Sequence, residues 1–146
     1  MSEKFTYNFQ MAGYPFDKYD EMGTVDYKKF VQEFRSFPWM TQLGKSNGGS
    51  EATISVKNSI NGTDYWVSIM GSPSEYTYIV GIIFPKEVKT LFGFGKSKTI
   101  RWLEMFIALD GSTVESTFEI FFEGNIDKLK QELSELQKFG EMEAQN

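Results

Sequence analysis

KTIRWLEMFIALDGSTVESTFEIFFE, residues Lys98–Glu123, holds two alternating apolar runs on either side of Asp110-Gly111. Asp-Gly between such runs is a strong hairpin signal, because both central residues of a type I′ turn need φ > 0. The stretch is therefore read as a long β-hairpin. With a two-residue loop, one face of the ribbon carries Leu103, Met105, Ile107, Leu109, Val114, Phe118, Ile120 and Phe122, and is expected to face the core. The other carries Trp102, Glu104, Phe106, Glu115 and Glu119, with Trp102 opposite Glu119 and Phe106 opposite Glu115.

Upstream, Glu51–Gly71 repeats the pattern, with Asn61-Gly62 at the turn. Ala52, Ile54, Val56, Tyr65, Val67 and Ile69 share one face, and Trp66 sits on the other with Thr53, Ser55, Lys57, Asp64 and Ser68. Glu75–Phe84 has apolar residues on both faces, as a central strand does, and Pro85 is expected to end it. Phe5, Tyr7 and Phe9 alternate in a short first strand. Residues 10–24, with Gly13, Pro15 and Gly23, read as a loop held by Tyr14, Phe16 and Tyr19.

Two stretches have helical spacing. Tyr27, Phe30, Val31 and Phe34 share one face of a helix over Asp26–Phe37, with Thr24 as its expected cap and Pro38 as its stop. Ile126, Leu129, Leu133 and Leu136 define a second helix over Ile126–Phe139, capped by Asn125 and stopped by Gly140, with 140–146 as a frayed tail. The expected fold is one α+β domain over 1–146, a mainly antiparallel sheet of about six strands with two helices, in the order β-α-ββ-β-ββ-α. Two helices cannot readily cover both faces of such a sheet, so one face is expected to stay partly open.

Composition removes several chemistries. The 146 residues include no Cys and no His. That excludes disulfides, thiolate sites, Ser-His-Asp and Cys-His catalysis, and the commonest zinc ligand. Net charge is -5, which disfavours nucleic acid as a partner. There is no apolar run of the roughly 18 residues that a membrane span needs. The opening MSEKFTYNFQ lacks the apolar core of a secretory signal, so a cytoplasmic location is expected. Gly95-Lys96-Ser97 resembles a phosphate loop, but the full pattern needs Gly at 90, where Thr stands, and a helix afterwards. Five basic residues and one acid between Lys86 and Arg101 read as a solvated connection. On one strand, Glu115 and Glu119 would stand roughly 14 Å apart, too wide for an acid-base dyad. No catalytic residue, metal or cofactor is assigned.

The acid-aromatic face is the site candidate. Between Trp102 and Glu123 there are five acids and no bases. Interleaved glutamates are costly to bury unpaired, and Trp beside carboxylates suits a partner presenting Arg or Lys. Trp102, Glu104, Phe106, Glu115, Glu119 and Trp66 are therefore the expected partner-binding residues. With Pro38-Trp39, YWVSI at Tyr65–Ile69 and FEIFFEG at Phe118–Gly124, the small, acidic, Cys-free chain is similar in style to bacterial toxin-system immunity proteins. The resemblance implies a non-catalytic inhibitor that binds a cognate, basic protein toxin and occludes its active site. The alternative is a small-molecule or lipid-binding module with an aromatic-lined pocket.

Overall fold

The computed structural model describes residues 4–89 and 96–144. Eleven elements follow one another: β1 (Phe5–Gln10), β2 (Asp20–Thr24), α1 (Tyr27–Ser36), α2 (Trp39–Gln42), β3 (Thr53–Asn58), β4 (Thr63–Ser72), β5 (Glu75–Lys89), β6 (Ser97–Ala108), α3 (Gly111–Glu123), α4 (Ile126–Leu133) and β7 (Gln137–Glu143). The strands form one antiparallel sheet in the order β2-β1-β3-β4-β5-β6-β7. The fold is α+β with an antiparallel sheet, as the pattern implies. Among the described residues it has seven strands rather than about six and four helices rather than two.

The largest correction falls on the opening stretch. Its first half is strand β6, but its second half is helix α3 and not a returning strand. Gly111 does not take the positive φ that a type I′ turn demands. Asp110 instead caps the helix: its carboxylate accepts from the Thr113 amide at 2.9 Å, from the Thr113 hydroxyl at 2.8 Å and from the Ser112 hydroxyl at 2.9 Å. Val114, Thr117, Phe118 and Phe121 then fall at i, i+3, i+4 and i+7 and are all buried. The expected cross-strand pairs Trp102–Glu119 and Phe106–Glu115 do not exist.

Four smaller differences have local causes. Asp26, not Thr24, caps α1, accepting from the Lys29 amide at 2.8 Å. Residues 20–24, expected in a loop, pair with β1 as an edge strand. The last helix stops at Leu133, and Gln137–Glu143 form β7 rather than a helix end and a frayed tail. Without a hairpin partner, the free edge of β6 would leave a row of unpaired backbone groups, and β7 satisfies it. Pro85 does not end β5 either. Asp64 pairs with Ile83, and β4 begins one residue earlier, so beyond Phe84 the β5 strand has only β6 beside it. A residue without an N–H is tolerated on such an unpaired side.

The 51–71 hairpin forms with the expected faces, Ile54 opposite Val67, Val56 opposite Tyr65 and Ser55 opposite Trp66. Asn58 pairs with Thr63, however, so its loop is residues 59–62 and not a two-residue Asn61-Gly62 turn. Its aliphatic face packs under the helices. Phe30 of α1 stacks on Phe118 of α3 at 3.9 Å between centroids, and Phe118 meets Tyr65 at 4.4 Å. The Tyr65 hydroxyl donates to Thr117 Oγ1 at 2.7 Å, which donates in turn to the Val114 carbonyl at 2.9 Å. Val80, Ile82, Phe106 and Ala108 complete the layer, with Leu129 and Leu133 from α4. The buried residues of α1, α3 and α4 belong to this single core, on one side of the sheet.

Candidate functional site

The covered side takes Tyr78, Val80, Ile82 and Phe84 from β5, so the residues between them point the other way. Register then orders that opposite face into rows across the strands. One row runs Thr6, Lys57, Asp64, Ile83, Leu103, Met142. The next runs Asn8, Ser55, Trp66, Gly81, Met105, Gly140. The third runs Gln10, Thr53, Ser68, Ile79, Ile107, Gln137. Over β1, β3 and β4 the rows are polar apart from Trp66, and over β5 and β6 they are apolar. The change falls at Trp66.

Two glycines keep the middle row low. A Cβ at position 81 would fall inside the Trp66 indole, against Cε2 and Cζ2, so the ring can lie over β5 only because residue 81 is glycine. A Cβ at position 140 would sit 3.4 Å from Met105 Cε. Trp66 also differs from the other two tryptophans in its bonding. Trp39 Nε1 donates to the Phe34 carbonyl at 2.9 Å, and Trp102 Nε1 to Glu141 Oε1 at 3.1 Å. Trp66 Nε1 donates to no described residue, and it is not among the buried polar atoms that lack a partner.

Two clefts meet at this ring. The first, about 540 Å³, lies over the polar half, between Asn8, Gln10, Ser55, Lys57, Asp64, Trp66 and Arg101. Phe16 and Tyr19, 69% and 48% exposed, stand at its rim. Their loop is tied down by Gln10, whose Nε2 donates to the Phe16 carbonyl at 3.1 Å, and by Tyr14, whose hydroxyl donates to Asp20 at 2.7 Å. The second cleft, about 400 Å³, shares Trp66 and Ser68 and continues over Leu43, Met70, Ile79, Met105 and Phe139.

The polar cleft contains a desolvated acid. Asp64 Oδ2 pairs with Arg101 Nη2 at 3.1 Å, while Oδ1 is buried without a partner. Burial pushes the Asp64 carboxyl above its ordinary value, opposed by the charges of Arg101 and Lys57. Arg101 and Lys57 face Asp64, Glu21 and Glu51 in the lining. The cleft thus has both signs and no uncompensated cation cluster.

The structure scatters the residues expected to bind a partner. Trp102, Glu104 and Phe106 share the helix-covered side of β6, paired with Phe84, Ile82 and Val80. Phe106 is core, only 6% exposed. Trp102 is half-buried, with Lys86 Nζ 4.3 Å from its ring centroid. Glu104 lies opposite Glu141, which Lys138 engages at 2.9 Å. Glu115 and Glu119 stand one turn apart on α3. Glu115 is held by Arg35 through two 2.8 Å bonds, while Glu119 is exposed. Trp66 is on the opposite side of the sheet from all of these.

Sequence reasoning put Trp66, Thr53, Ser55, Lys57, Asp64 and Ser68 on one face. It did not link them to Asn8, Gln10, Gly81, Met105 or Arg101. The signal for Gly81 was present, a lone glycine inside an apolar strand, which marks close approach by another group. The phosphate-loop likeness falls largely on residues 90–95, outside the described residues. Among the described residues, no group of three His, Cys, Asp or Glu could hold a metal ion, and no helix is long and apolar enough to cross a membrane. No protein family, curated protein or solved structure matches this chain.

Proposed function

We propose that this is a non-catalytic binding domain whose site is the open face of its sheet, with Trp66 at the centre. The observation that carries the reading is the partnerless Trp66 indole, laid over Gly81 where the two clefts meet. Binding sites are concave, offer an apolar surface and place a few polar groups to fix orientation. The open face has all three features, which supports a small-molecule or lipid-binding module, although on the open side of the sheet and not in an aromatic-lined pocket between sheet and helices. The test is a fragment library screened by NMR on methyl-labelled protein. Hits should shift Ile83, Leu103 and Ile107 and spare Ile54, Val80 and Ile82. Hits that shift the second set alone would refute the reading.

One observation favours a protein partner of the immunity type instead. Glu119 is exposed on α3 in an acidic chain, with Glu115 one turn away and Glu104 on the same side of the sheet. On this reading the helical side would occlude a basic toxin site. Glu104→Lys with Glu119→Lys should then weaken the complex at least tenfold while Trp66→Ala leaves it unchanged. The reverse pattern would return the interaction to the open face.

A further inference from the structure

We infer that the open face takes an uncharged amphiphile, with a hydroxyl-rich ring as its head in the polar cleft and a medium-length alkyl tail along the apolar cleft. This deepens the open-face reading and rests on it. The head is assigned from the chemistry around Trp66. A flat indole offers its face to the C–H side of a saturated ring. Asn8, Gln10, Thr53 and Ser55 surround it with groups that both donate and accept, as hydroxyls require. The free Trp66 Nε1 adds a donor.

Charge decides against an ionic head. Arg101 is already paired with Asp64, and Lys57 stands directly across from Asp64 in the β3–β4 ladder. A phosphate or carboxylate head would have to compete with Asp64 for Arg101, and it would meet Asp64, Glu21 and Glu51 in the same lining. A cationic head would meet Lys57 and Arg101. A neutral head leaves every pair in place and loses little by desolvation.

The tail follows from the second cleft. From Trp66 and Ser68 on β4 it runs over Ile79 of β5 and Met105 of β6 to Phe139 of β7, with Leu43 and Met70 at its flank. Three strand spacings from β4 to β7 span roughly 14 Å, the reach of an extended medium-length alkyl chain. Met105, unbranched and polarisable, can adjust to such a chain.

The test is calorimetric titration with three probes: octyl β-D-glucoside as monomer, methyl β-D-glucoside for the head alone, and sodium octanoate for the same length of tail on a charged head. Octyl glucoside should bind at least tenfold more tightly than either of the others. Trp66→Ala should weaken it at least tenfold, and Met105→Asp should reduce it to the level of methyl glucoside. Thermal melts of both variants should stay within a few degrees of the parent, which excludes misfolding as the cause. Absence of saturable octyl glucoside binding, octanoate binding as tightly, or indifference to Trp66→Ala each overturns the inference. If octanoate or a library fragment shifts the open-face methyls while the glucoside does not, the neutral head is wrong and the open-face site survives. If no probe or fragment shifts them, both fall.

Discussion

The two faces of this sheet use the same strands for opposite purposes. On the covered face Phe30, Phe118 and Tyr65 stack in sequence, and the one buried hydroxyl among them is satisfied by Thr117 and Val114. On the open face an indole has no partner and a buried carboxylate oxygen has none either. Asn58 Nδ2, at the end of β3 on the covered side, is likewise buried without a partner, so unpaired atoms alone do not set the faces apart. What does is the accessible indole beside apolar rows that no helix covers: one face holds the fold and the other is the part proposed to bind. Ile82 and Ile83 are chain neighbours, yet they belong to different parts.

Substitutions that test this division should differ in size by face. Phe118→Ala removes the centre of the aromatic stack and should cost about 3–5 kcal/mol in chemical denaturation. A cost below about 1 kcal/mol would mean that the covered face is not the structural one. Thr117→Val keeps the shape but leaves the Tyr65 hydroxyl buried without its acceptor. It should cost roughly 1–3 kcal/mol, and Tyr65→Phe in the same background should recover part of that loss. Gly81→Ala should cost less, at the low end of about 1–3 kcal/mol for overpacking, because the half-exposed Trp66 ring can swing away. Its clearest effect should be on binding and on Trp66 emission. An unchanged emission spectrum would show that the ring does not rest on residue 81.

The smallest effect concerns Asp64 and pH. Its folded-state carboxyl is raised, first by burial, so the native state takes up a proton before the unfolded chain does. Between the folded value and the ordinary carboxylate range near about 3.9, stability contributed by this group therefore rises as pH falls, and it is lost again as pH rises through the folded value. Compared with Asp64→Asn at each pH, the parent should gain in urea midpoint between pH 7 and pH 4. A relative loss on acidification would mean that the Arg101 pair outweighs desolvation.

The same contrast marks what the sequence could disclose. The faces of the 51–71 hairpin are legible because Asn61-Gly62 is flanked by alternation, and a loop two residues longer than expected leaves those faces unchanged. Residues 111–123 satisfy both periods: Val114, Phe118, Ile120 and Phe122 alternate, while Val114, Thr117, Phe118 and Phe121 have helical spacing. Short apolar runs carry that ambiguity, and Asp110 with Ser112 and Thr113 was the capping signal that resolves it. Misreading α3 as a strand reversed the face assignment of β6. Phe106, assigned to a surface, became core, while Leu103, Met105 and Ile107, assigned to the core, line the open side. Strand β2, DEMGT, was not legible at all, since its composition is poor for a strand and pairing with β1 decides it. The site was half legible. Trp66 and its polar neighbours share one hairpin face, but Arg101 and Met105 reach them only through the β5–β6 register.

The division is tested most directly by solvent paramagnetic relaxation on isoleucine methyls, using a neutral nitroxide. Ile83 and Ile107 should broaden strongly, while Ile54 and Ile82, fully buried under the helices, should not. Equal protection of all four would mean that something covers the open face in solution, and it would contradict a free binding surface there.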